Sequence, residues 1–488
     1  YKVSHSFVST PDGGSEMDAD ECFERVVAVI DEVMAKAERM QAEVIAVALC
    51  SFWHSLMGVD DRGKPTTPVL GWADTRSGRH SSLLKKRFDE RSVHDRTGAH
   101  FHSSFWPAKL LWLKTDFPNI FNRTAMWISF ADLLLSRLID PEAMPVVQFG
   151  EWLEGGGHMT GFREAYTADP LPILTSISMA SATGLFDNRN REWDAPLIRW
   201  LGLSPGNLPQ IVRRKDHTFK LRGKYQRRWP KLKSAEIFPA IGDGAADHIG
   251  SCGLGKTNAS LMVGTSAAMR VAYTGETPAA IPDGLWCYRV DSTHVIVGGA
   301  LSDGGNLVDL LRSTLNVPKN AEAQMRQRGA AAHGLTMMPF FHGERSTGYR
   351  EDARGEILGL TASHDSVDIL QAAMESTAYR LAAVNDRLKA VDSIKHIVAS
   401  GGALNRSTVW PQIIADVLGR DLLVNDTSES AMRGAVLLAL ESLGKIESID
   451  SFSLPAASTL AFHPECHAAY KRARKRHEEF YKQTAKPT

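Results

Sequence analysis

The chain has 488 residues, too many for a single hydrophobic core, so we expect at least two domains. Lysine plus arginine and aspartate plus glutamate both number 56, and this zero formal charge argues against nucleic acid or an acidic membrane as a partner. The five scattered cysteines form no CxxC pair, which argues against a disulfide framework or a zinc site. Without a membrane-spanning apolar tract or a signal peptide, the sequence predicts a soluble cytoplasmic protein.

Helix-period and strand-like segments alternate along the chain. A capping-box pattern begins at Asp18 and precedes a helical apolar face that starts at Phe23. The segment Val44–Leu49 is apolar on both faces, which is typical of a central strand in a covered sheet. Residues 140–228 are rich in glycine, proline and tryptophan with weak periodicity, and we interpret them as irregular insertions on the first domain.

A second alternating set of elements begins near Ala235. It comprises a hairpin around 291–293, a helix over 366–390, a strand over 394–399, a helix after 407 and a final helix over 464–483. The basic run in the final helix is typical of a solvated helix face. The alternation predicts an α/β fold.

The tripeptide Gly242-Asp243-Gly244 sets a carboxylate on a bend, where its oxygens can face a cleft. Further on, two apolar strands flank Gly264-Thr265-Ser266, a turn whose N–H groups and hydroxyls suit a phosphate. A phosphate cradle near a free carboxylate suggests phosphoryl transfer to a hydroxyl that Asp243 deprotonates. The alternative that these residues leave open is a plain loop and an ordinary hairpin.

One apparent nucleotide motif is rejected on its context. Residues 250–257 fit the P-loop spacing G-x-x-x-x-G-K-[ST]. A P-loop follows a buried strand and opens a helix, whose N-terminal amides hold the phosphates. Here the preceding residues 245–249 look helical and the following residues 259–263 look like a strand, so the context is reversed.

A second glycine-rich turn is a better candidate for nucleotide binding. An apolar strand from Ile397 runs into Gly401 and Gly402, and a helix follows with its cap near Ser407. Glycines at such a turn let a flat ring or a phosphate approach the backbone. A turn that is merely tight is the alternative, and the phosphate-type hairpin makes it the weaker one.

Together these residues resemble the FGGY family of carbohydrate kinases, and the resemblance covers nearly the whole chain. Its most specific parts are 343–348, 353–355 and the tract 355–375. The resemblance implies an α/β, two-domain actin-like ATPase (ribonuclease H-like) fold with an interdomain cleft. It implies a sugar-binding domain over 1–235, a nucleotide-binding domain with a terminal helix over 236–488, and ATP with Mg²⁺ as cofactors.

The resemblance also assigns roles to single residues. It makes Asp243 the catalytic base and leaves open whether Asn405 or Arg406 reaches the adenosine, and it assigns no magnesium ligand. The implied nucleotide-binding residues are Gly264, Thr265, Ser266, Gly305, Asp309, Gly401, Gly402, Ala403 and Asn405. The implied sugar-binding residues are Trp53, His54, Asp74, Arg76, Ser104 and Asp243.

Each sugar-side residue also has a structural alternative. Trp53 could be a core aromatic, His54 a satisfied buried histidine, and Asp74 with Arg76 a structural ion pair. A carboxylate substrate requires a positive partner, for which His54, Arg76 and Lys109 are the candidates.

Within the family, the amino-acid sequences of three segments are most similar to those of gluconokinases: residues 52–55, 102–109 and 178–181. This similarity implies phosphorylation of D-gluconate to 6-phosphogluconate. The alternatives are a xylulokinase-like ketopentose kinase and a non-catalytic sugar or nucleotide sensor, and a homodimer is a further option.

The sequence departs from the family pattern at its start. Family members open with a strand and hairpin that carry Asp-x-Gly-Thr, and no such segment precedes Tyr1. A strand and hairpin need on the order of 20–30 residues. We therefore expect a truncated chain or a lost element, and in either case weak nucleotide binding and poor turnover by this chain.

Overall fold

The computed structural model describes residues 1–140, 173–213, 218–424, 429–449 and 457–484. Its strands are β1 Val8–Ser9, β2 Ser15–Met17, β3 Ala46–Ser51, β4 Met57–Val59, β5 Val69–Leu70, β6 Met126–Ile128, β7 Leu174–Ser176, β8 Phe186–Asp187, β9 Glu192–Trp193, β10 Gln210–Val212, β11 Glu236–Gly242, β12 Asn258–Val263, β13 Ala267–Thr274, β14 Trp286–Arg289, β15 His294–Leu301, β16 Thr336–Met338, β17 Glu356–Leu358, β18 His396–Ser400, β19 Leu422–Val424 and β20 Ser458–Leu460.

Helices connect these strands along the whole described chain. They are α1 Ala19–Arg39, α2 Gly78–Arg87, α3 Glu90–Thr97, α4 Trp106–Asp116, α5 Pro118–Arg123, α6 Phe130–Leu138, α7 Ile177–Ser181, α8 Ala195–Leu201, α9 Gly223–Arg228, α10 Asp243–Cys252, α11 Gly305–Thr314, α12 Ala321–Arg328, α13 Ser366–Leu388, α14 Gly402–Asn405, α15 Trp410–Leu418, α16 Ser430–Ser442 and α17 Pro464–Thr484. None of the described helices is long and apolar enough to cross a membrane.

A seven-stranded mixed sheet organises the C-terminal half. Its strand order is β14-β15-β13-β12-β18-β19-β20, with β12, β18 and β19 parallel and the other neighbours antiparallel. The long helix α13 is buried along most of its length, and its apolar side chains share one core with β12, β13 and β15. The predicted α/β fold is therefore present in this half.

Smaller sheets make up the N-terminal half. β3 pairs in parallel with β11, from Ala46 opposite Glu236 to Ser51 opposite Gly242. β11 follows residue 235, where the first predicted domain ends, yet it hydrogen-bonds to the sheet of that first segment. The carboxyl ends of parallel strands meet at one sheet edge, so the residues that follow β3 and β11 come together there.

β3 differs from the expectation for Val44–Leu49. The strand is only half-buried, and Cys50 is exposed. β11 is its one ladder partner in the described part of the chain. The prediction of a strand is confirmed, and the prediction of coverage on both faces is wrong for the residues that the structure describes.

Most other predicted elements are confirmed. Asp18 caps α1 by accepting a hydrogen bond from Glu21 N at 2.8 Å, and Phe23 is buried against the first domain's core. The hairpin β14–β15, the helices α13, α15 and α17 and the strand β18 all lie where the sequence predicts them. Because α10 precedes the glycine run and β12 follows it, the rejection of a P-loop is also confirmed.

The interpretation of residues 140–228 as irregular is wrong for the described part of that stretch. Residues 141–172 lie outside the described residues. The described remainder contains the short elements from β7 to α9, among them a parallel pair between β7 and β10. Their short length hides the periodicity that a sequence pattern requires.

Two helices join the halves behind the sheet edge. α10 starts directly after β11 and packs closely on α16, where glycines let the two backbones touch. A Cβ on Gly250 would lie 1.8 Å from Ser430 O, and one on Gly434 would lie 1.9 Å from Ala246 O. The two helices therefore pack backbone to backbone, and a side chain at either glycine would force them apart.

Candidate active site

Asp243 stands at the junction of β11 and α10. Its Oδ1 accepts hydrogen bonds from Gly244 N at 2.8 Å and from Trp53 N at 3.3 Å. Its Oδ2 accepts none from the described residues, and the side chain is exposed to solvent. One oxygen is therefore anchored and the other is free to take a proton from a bound hydroxyl.

The surroundings of Asp243 favour the protonated carboxyl more than water does. The protein packed around the cleft raises the pKa of Asp243 above its ordinary value of 3.8. Arg270 and the two backbone N–H groups oppose this rise because they stabilise the charged form. Arg270 is itself held by Asp247 Oδ2 at 2.9 Å. A raised pKa makes Asp243 a stronger base than an ordinary aspartate.

The glycines on either side of Asp243 make room for the ring of Trp53. A Cβ on Gly242 would lie 1.8 Å from Trp53 Nε1, and one on Gly244 would lie 2.5 Å from Cζ3. Trp53 Nε1 donates to Ser178 O at 3.0 Å, and the side chain is buried. The Gly-Asp-Gly pattern thus reflects close packing behind the carboxylate, in addition to turn chemistry.

His54 is buried and uncharged. Its backbone lies in the left-handed region with φ 65°. Nδ1 lies 2.6 Å from Ala182 O, which can only accept, so Nδ1 carries the proton and Nε2 faces Arg345 as an acceptor at 3.4 Å. Burial and the charge of Arg345 hold the pKa of His54 well below its ordinary value. The expectation that His54 could be a positive partner for a carboxylate is therefore wrong.

Asp74 and Arg76 form the ion pair that was the structural alternative. Arg76 Nε lies 3.1 Å from Asp74 Oδ1, and Arg76 Nη2 also reaches Glu16 Oε2 at 2.8 Å. The Arg76 guanidinium lies 5.0 Å from the centre of the Trp112 ring. Both charges are thus partnered within the protein, and a direct sugar contact by these two residues stays a prediction.

Ser104 and Lys109 lie in a buried polar cluster beside this pair. Ser104 Oγ lies 3.0 Å from His102 Nδ1. Lys109 Nζ donates to Ser103 O, and burial lowers the pKa of Lys109 to about 8. The carbonyl contact and the full burial of Lys109 make it a structural cation in this arrangement.

The predicted phosphate hairpin and the start of α11 form one unit. Gly305 N donates to Gly264 O at 2.8 Å, and Asn306 N donates to Thr265 O at 3.0 Å. A Cβ on Gly305 would lie 2.5 Å from Gly264 O, so only glycine fits at this contact. Thr265 is exposed at the tip of the turn, where its hydroxyl is available to a phosphate.

A cavity of about 520 Å³ opens beside this unit. Its volume lies within the usual range for small-molecule sites. Its lining includes three of the predicted nucleotide residues, Gly305, Asp309 and Ala403, and also Arg406, which the sequence left open as the alternative to Asn405. Three further basic residues of the lining were missed by sequence reasoning: Arg312, Lys319 and Arg326.

The turn at Gly401 closes one side of this region. Its φ is 114°, and a Cβ there would lie 2.4 Å from Val263 O, so the glycine is required by backbone conformation and by space. Arg406 lines the cavity, whereas the predicted ligand Asn405 is not part of the lining. Of the missed basic residues, Arg312 lies on α11, Arg326 on α12 and Lys319 in the turn between these helices. They belong to no recognised motif, so only the folded chain shows that they line this cavity.

A possible metal-binding trio lies away from the cleft. Among the described residues, only Asp416, His463 and Cys466 bring three potential ligand atoms within 4.8 Å of one another. They lie where α15 meets α17. The donor set of the described cleft therefore assigns no magnesium ligand, in keeping with the open assignment from sequence.

Arg345 is a further residue near the candidate site that sequence reasoning missed. Its guanidinium is buried, contacts His54 Nε2 at 3.4 Å and lies 4.9 Å from the centre of the Trp72 ring. It belongs to the 343–348 tract that carries the family resemblance, but nothing in the tract indicates that its side chain reaches the sugar side of the cleft.

Comparison with known proteins identifies the family of this chain. The chain matches the N-terminal domain of the FGGY family of carbohydrate kinases over residues 3–150 and the C-terminal domain of that family over residues 259–443. A gluconokinase from Bacillus subtilis (strain 168) is 26% identical over 479 residues, which cover 93% of this chain and 85% of that protein.

Solved structures show the same fold. A ligand-bound xylulose kinase from Lactobacillus acidophilus has a TM-score of 0.83 at 22% identity, covering 99% of this chain and 92% of that one. A gluconate kinase from Lactobacillus acidophilus has a TM-score of 0.83 at 23% identity with the same coverage. The predicted two-domain actin-like α/β fold is confirmed, and the chain belongs to the FGGY family of ATP-dependent carbohydrate kinases.

Proposed function

We propose that this kinase transfers the γ-phosphoryl group of ATP to the terminal hydroxyl of an open-chain sugar acid, converting D-gluconate to 6-phosphogluconate in the cytoplasm. The observation that carries the proposal is Asp243, with one oxygen anchored by two backbone N–H groups and the other free in the cleft. The similarity to a gluconokinase and the amino-acid sequence around Trp53 and His54 support gluconate as the acceptor.

In this mechanism, the Asp243 carboxylate accepts the proton of the hydroxyl as that oxygen attacks the γ-phosphorus. The bond to the β-phosphate oxygen breaks, and ADP leaves with the electron pair. Thr265 and Ser266 hold phosphate oxygens, while the adenosine lies in the cavity lined by Gly305, Ala403 and other residues. A magnesium ion, expected for such kinases, would neutralise phosphate charge when bound.

The remaining assignments belong to the same proposal. Residues 1–235 bind the sugar and residues 236–488 bind the nucleotide, with β11 as the strand that joins them. We assign Asp243 the contact with the acceptor hydroxyl, because it directly follows β11, the partner of the sugar-side strand β3, and begins the helix α10.

A ketopentose kinase is the second candidate, favoured by the xylulose kinase structure at the same TM-score as the gluconate kinase. A non-catalytic sensor is the candidate from another class. Production of ADP that depends on added sugar separates the sensor from both kinases.

The experiment is a substrate panel with magnesium-ATP. We expect kcat/KM to be higher for D-gluconate than for D-xylulose or glycerol, with phosphate at the terminal hydroxyl of the product. A higher kcat/KM for xylulose or glycerol would contradict gluconate as the substrate, and ADP release without any sugar dependence would contradict the kinase assignment.

A further inference from the structure

Three side chains with metal-binding atoms meet where α15 packs against the start of α17. Asp416 lies in the last turn of α15, His463 directly precedes α17, and Cys466 lies in the first turn of α17. A carboxylate oxygen, a ring nitrogen and a sulfur from these residues lie within 4.8 Å of one another. The cluster lies outside the residues assigned to the two substrates, so the kinase mechanism does not use it.

The two oxygens of the Asp416 carboxylate differ in their partners. The residue is buried, with 4% exposure, and Oδ1 accepts hydrogen bonds from His463 N at 2.7 Å and from Gln412 Nε2 at 2.8 Å. Among the described residues, the identified polar neighbour of Oδ2 is His463 Nδ1 at 3.4 Å. A buried carboxylate oxygen is costly without a close donor or a cation, so Oδ2 is the atom that points to a ligand.

The spacing of Asp416 and His463 fits a shared metal ion better than a hydrogen bond. An ordinary N–H···O bond is about 2.7–3.2 Å long, and His463 Nδ1 lies 3.4 Å from both Asp416 oxygens. Two nitrogen or oxygen ligands at about 2.0–2.1 Å from a tetrahedral ion lie about 3.3 Å apart. The side chain of His463 is exposed and that of Cys466 is partly exposed, so ring and thiol are able to turn toward a common ion.

Neighbouring groups hold the buried ligand in place. Gln412 Nε2 also donates to Ala461 O at 2.9 Å, which fixes the amide against Asp416. His467 Nδ1 donates to the backbone carbonyl of Asp416 at 2.8 Å. Outer contacts of this kind are typical of metal sites, because they orient a ligand before the metal arrives.

The donor set indicates the class of metal. A carboxylate, an imidazole and a thiolate together suit Zn²⁺, whereas Mg²⁺ prefers oxygen ligands. With its thiol deprotonated, Cys466 joins Asp416 in supplying two negative charges, which balance a divalent cation beside a neutral histidine. The lack of a CxxC pair argued against a zinc site, but here Asp416 and His463 lie 47 residues apart, a separation that such a motif does not register.

We propose that Asp416, His463 and Cys466 bind one Zn²⁺, with water as the fourth ligand, and that the ion ties the first turn of α17 to α15. Binding releases the thiol proton of Cys466 to solvent. The other end of α17 carries Tyr481, which donates to Glu344 Oε1 at 2.6 Å, so the ion anchors the opposite end of the helix from that contact. The site is structural, and it does not depend on which sugar the kinase accepts.

Zinc titration of the chain, purified without an affinity tag, against a chromophoric chelator tests the inference. The wild type is expected to bind one Zn²⁺ per chain, and an excess of Mg²⁺ is not expected to displace it. Cys466→Ala and His463→Ala each remove a ligand and are expected to weaken zinc binding on the order of 10²-fold or more. Zn²⁺ is expected to raise the Tm of the wild type and to leave the Tm of both variants unchanged.

Cys50→Ser is the matched control, because Cys50 is an exposed thiol in β3 of the other half. His396→Ala, at an exposed histidine of β18, is the corresponding control for the imidazole. Both controls are expected to bind zinc as the wild type does, and circular dichroism checks that every variant is folded.

Co²⁺ keeps the inference testable if a ligand variant unfolds. A thiolate-to-cobalt charge-transfer band is expected in the wild type and in Cys50→Ser, which shows that Cys466 binds the ion. The inference would be overturned by a wild type that binds no zinc or shows no such band, by zinc binding that survives in folded Cys466→Ala or His463→Ala, or by its loss in Cys50→Ser.

Discussion

At the scale of single residues, the hydrogen bonds of Asp243 decide what the site can do. The two backbone N–H groups fix Oδ1, so the carboxylate does not need to reorient when a hydroxyl arrives. Oδ1 therefore holds the carboxylate in position, and Oδ2 is the oxygen that can accept the proton.

Replacing Asp243 with asparagine tests the proton-transfer duty. The amide keeps the shape and removes the base, so kcat is expected to fall on the order of 10²–10⁴-fold with little change in sugar affinity. A coupled ADP assay gives kcat, and calorimetry gives the sugar Kd. Asp283→Asn, at an exposed site, serves as control, and near-normal turnover of Asp243→Asn would contradict the assignment.

The pH profile tests the electrostatics of the same residue. Asp243 must be ionised to accept a proton, and its pKa is raised, so activity is expected to fall with decreasing pH at a value above 3.8. Arg270 stabilises the charged form, so Arg270→Met is expected to shift this acid limb to higher pH. The measurement is kcat/KM against pH for both proteins, and a shift of the limb to lower pH would refute this account.

At the scale of elements, the site depends on how β3 and β11 end together. The strands are parallel neighbours, so Trp53 and Asp243 follow their carboxyl ends and meet. The contact leaves no room for a side chain at Gly242.

A Gly242→Ala substitution tests this contact. The added Cβ would lie 1.8 Å from Trp53 Nε1, and the required shift is expected to lower the free energy of unfolding by about 1–3 kcal/mol and to reduce turnover. Urea unfolding measures the first effect. Trp53→Phe in the Gly242→Ala background is expected to recover part of the loss because phenylalanine lacks the indole N–H edge.

Gly206→Ala is the control for the glycine substitution, since the nearest atom to its added Cβ lies 3.6 Å away. Equal stability losses at Gly206 and Gly242 would show that glycine content, and not the Trp53 contact, sets the effect.

At the scale of the whole molecule, the last helix supports the loop that carries Arg345. Tyr481 in α17 donates to Glu344 Oε1 at 2.6 Å, and the same carboxylate binds Arg350 at 2.6 Å and Arg380 at 2.7 Å. The two arginines lie against the Tyr481 ring. Residues far apart in the chain thus converge on one buried carboxylate.

A Glu344→Gln substitution tests this convergence. It removes the anion and leaves two partly buried guanidinium groups without a charge partner, so the free energy of unfolding is expected to fall by about 3–5 kcal/mol. Urea denaturation gives the value, with the exposed Glu356→Gln as control. A change of the same size in the control would refute the role of the Glu344 cluster.

Patterns that are local in sequence predicted local structure well. The N-cap at Asp18, the periodicity of α13 and the helix–strand context of residues 250–257 each depend on neighbouring residues, and each is confirmed. The reciprocal bond of the capping box is not formed, because the Glu21 side chain pairs with Arg25. The family resemblance also predicted Gly305 and Asp309 as nucleotide-binding residues, and both line the same cavity.

The protonation of His54 could not be predicted from the sequence, because it depends on tertiary contacts: its Nδ1–H donates to a carbonyl 128 residues away. The Asp74–Arg76 pair was one of the alternatives that the sequence offered, whereas the second partner of Arg76, the carboxylate of Glu16, lies 60 residues away and left no local pattern. Arg345 has no ion-pair partner among the described residues, and no local sequence pattern could have predicted this.

The attachment of Asp243 has a mechanical consequence. Its Oδ1 is tied to the backbone of Trp53, and the helix that it begins is locked to α16 by backbone contact at Gly250 and Gly434. Asp243 is therefore held on two sides, by Trp53 N at the end of β3 and by α16 through α10. A side chain added at Gly250 or Gly434 would push against the facing backbone and displace the helix that Asp243 begins, so substitutions remote from both substrates are expected to disturb the base.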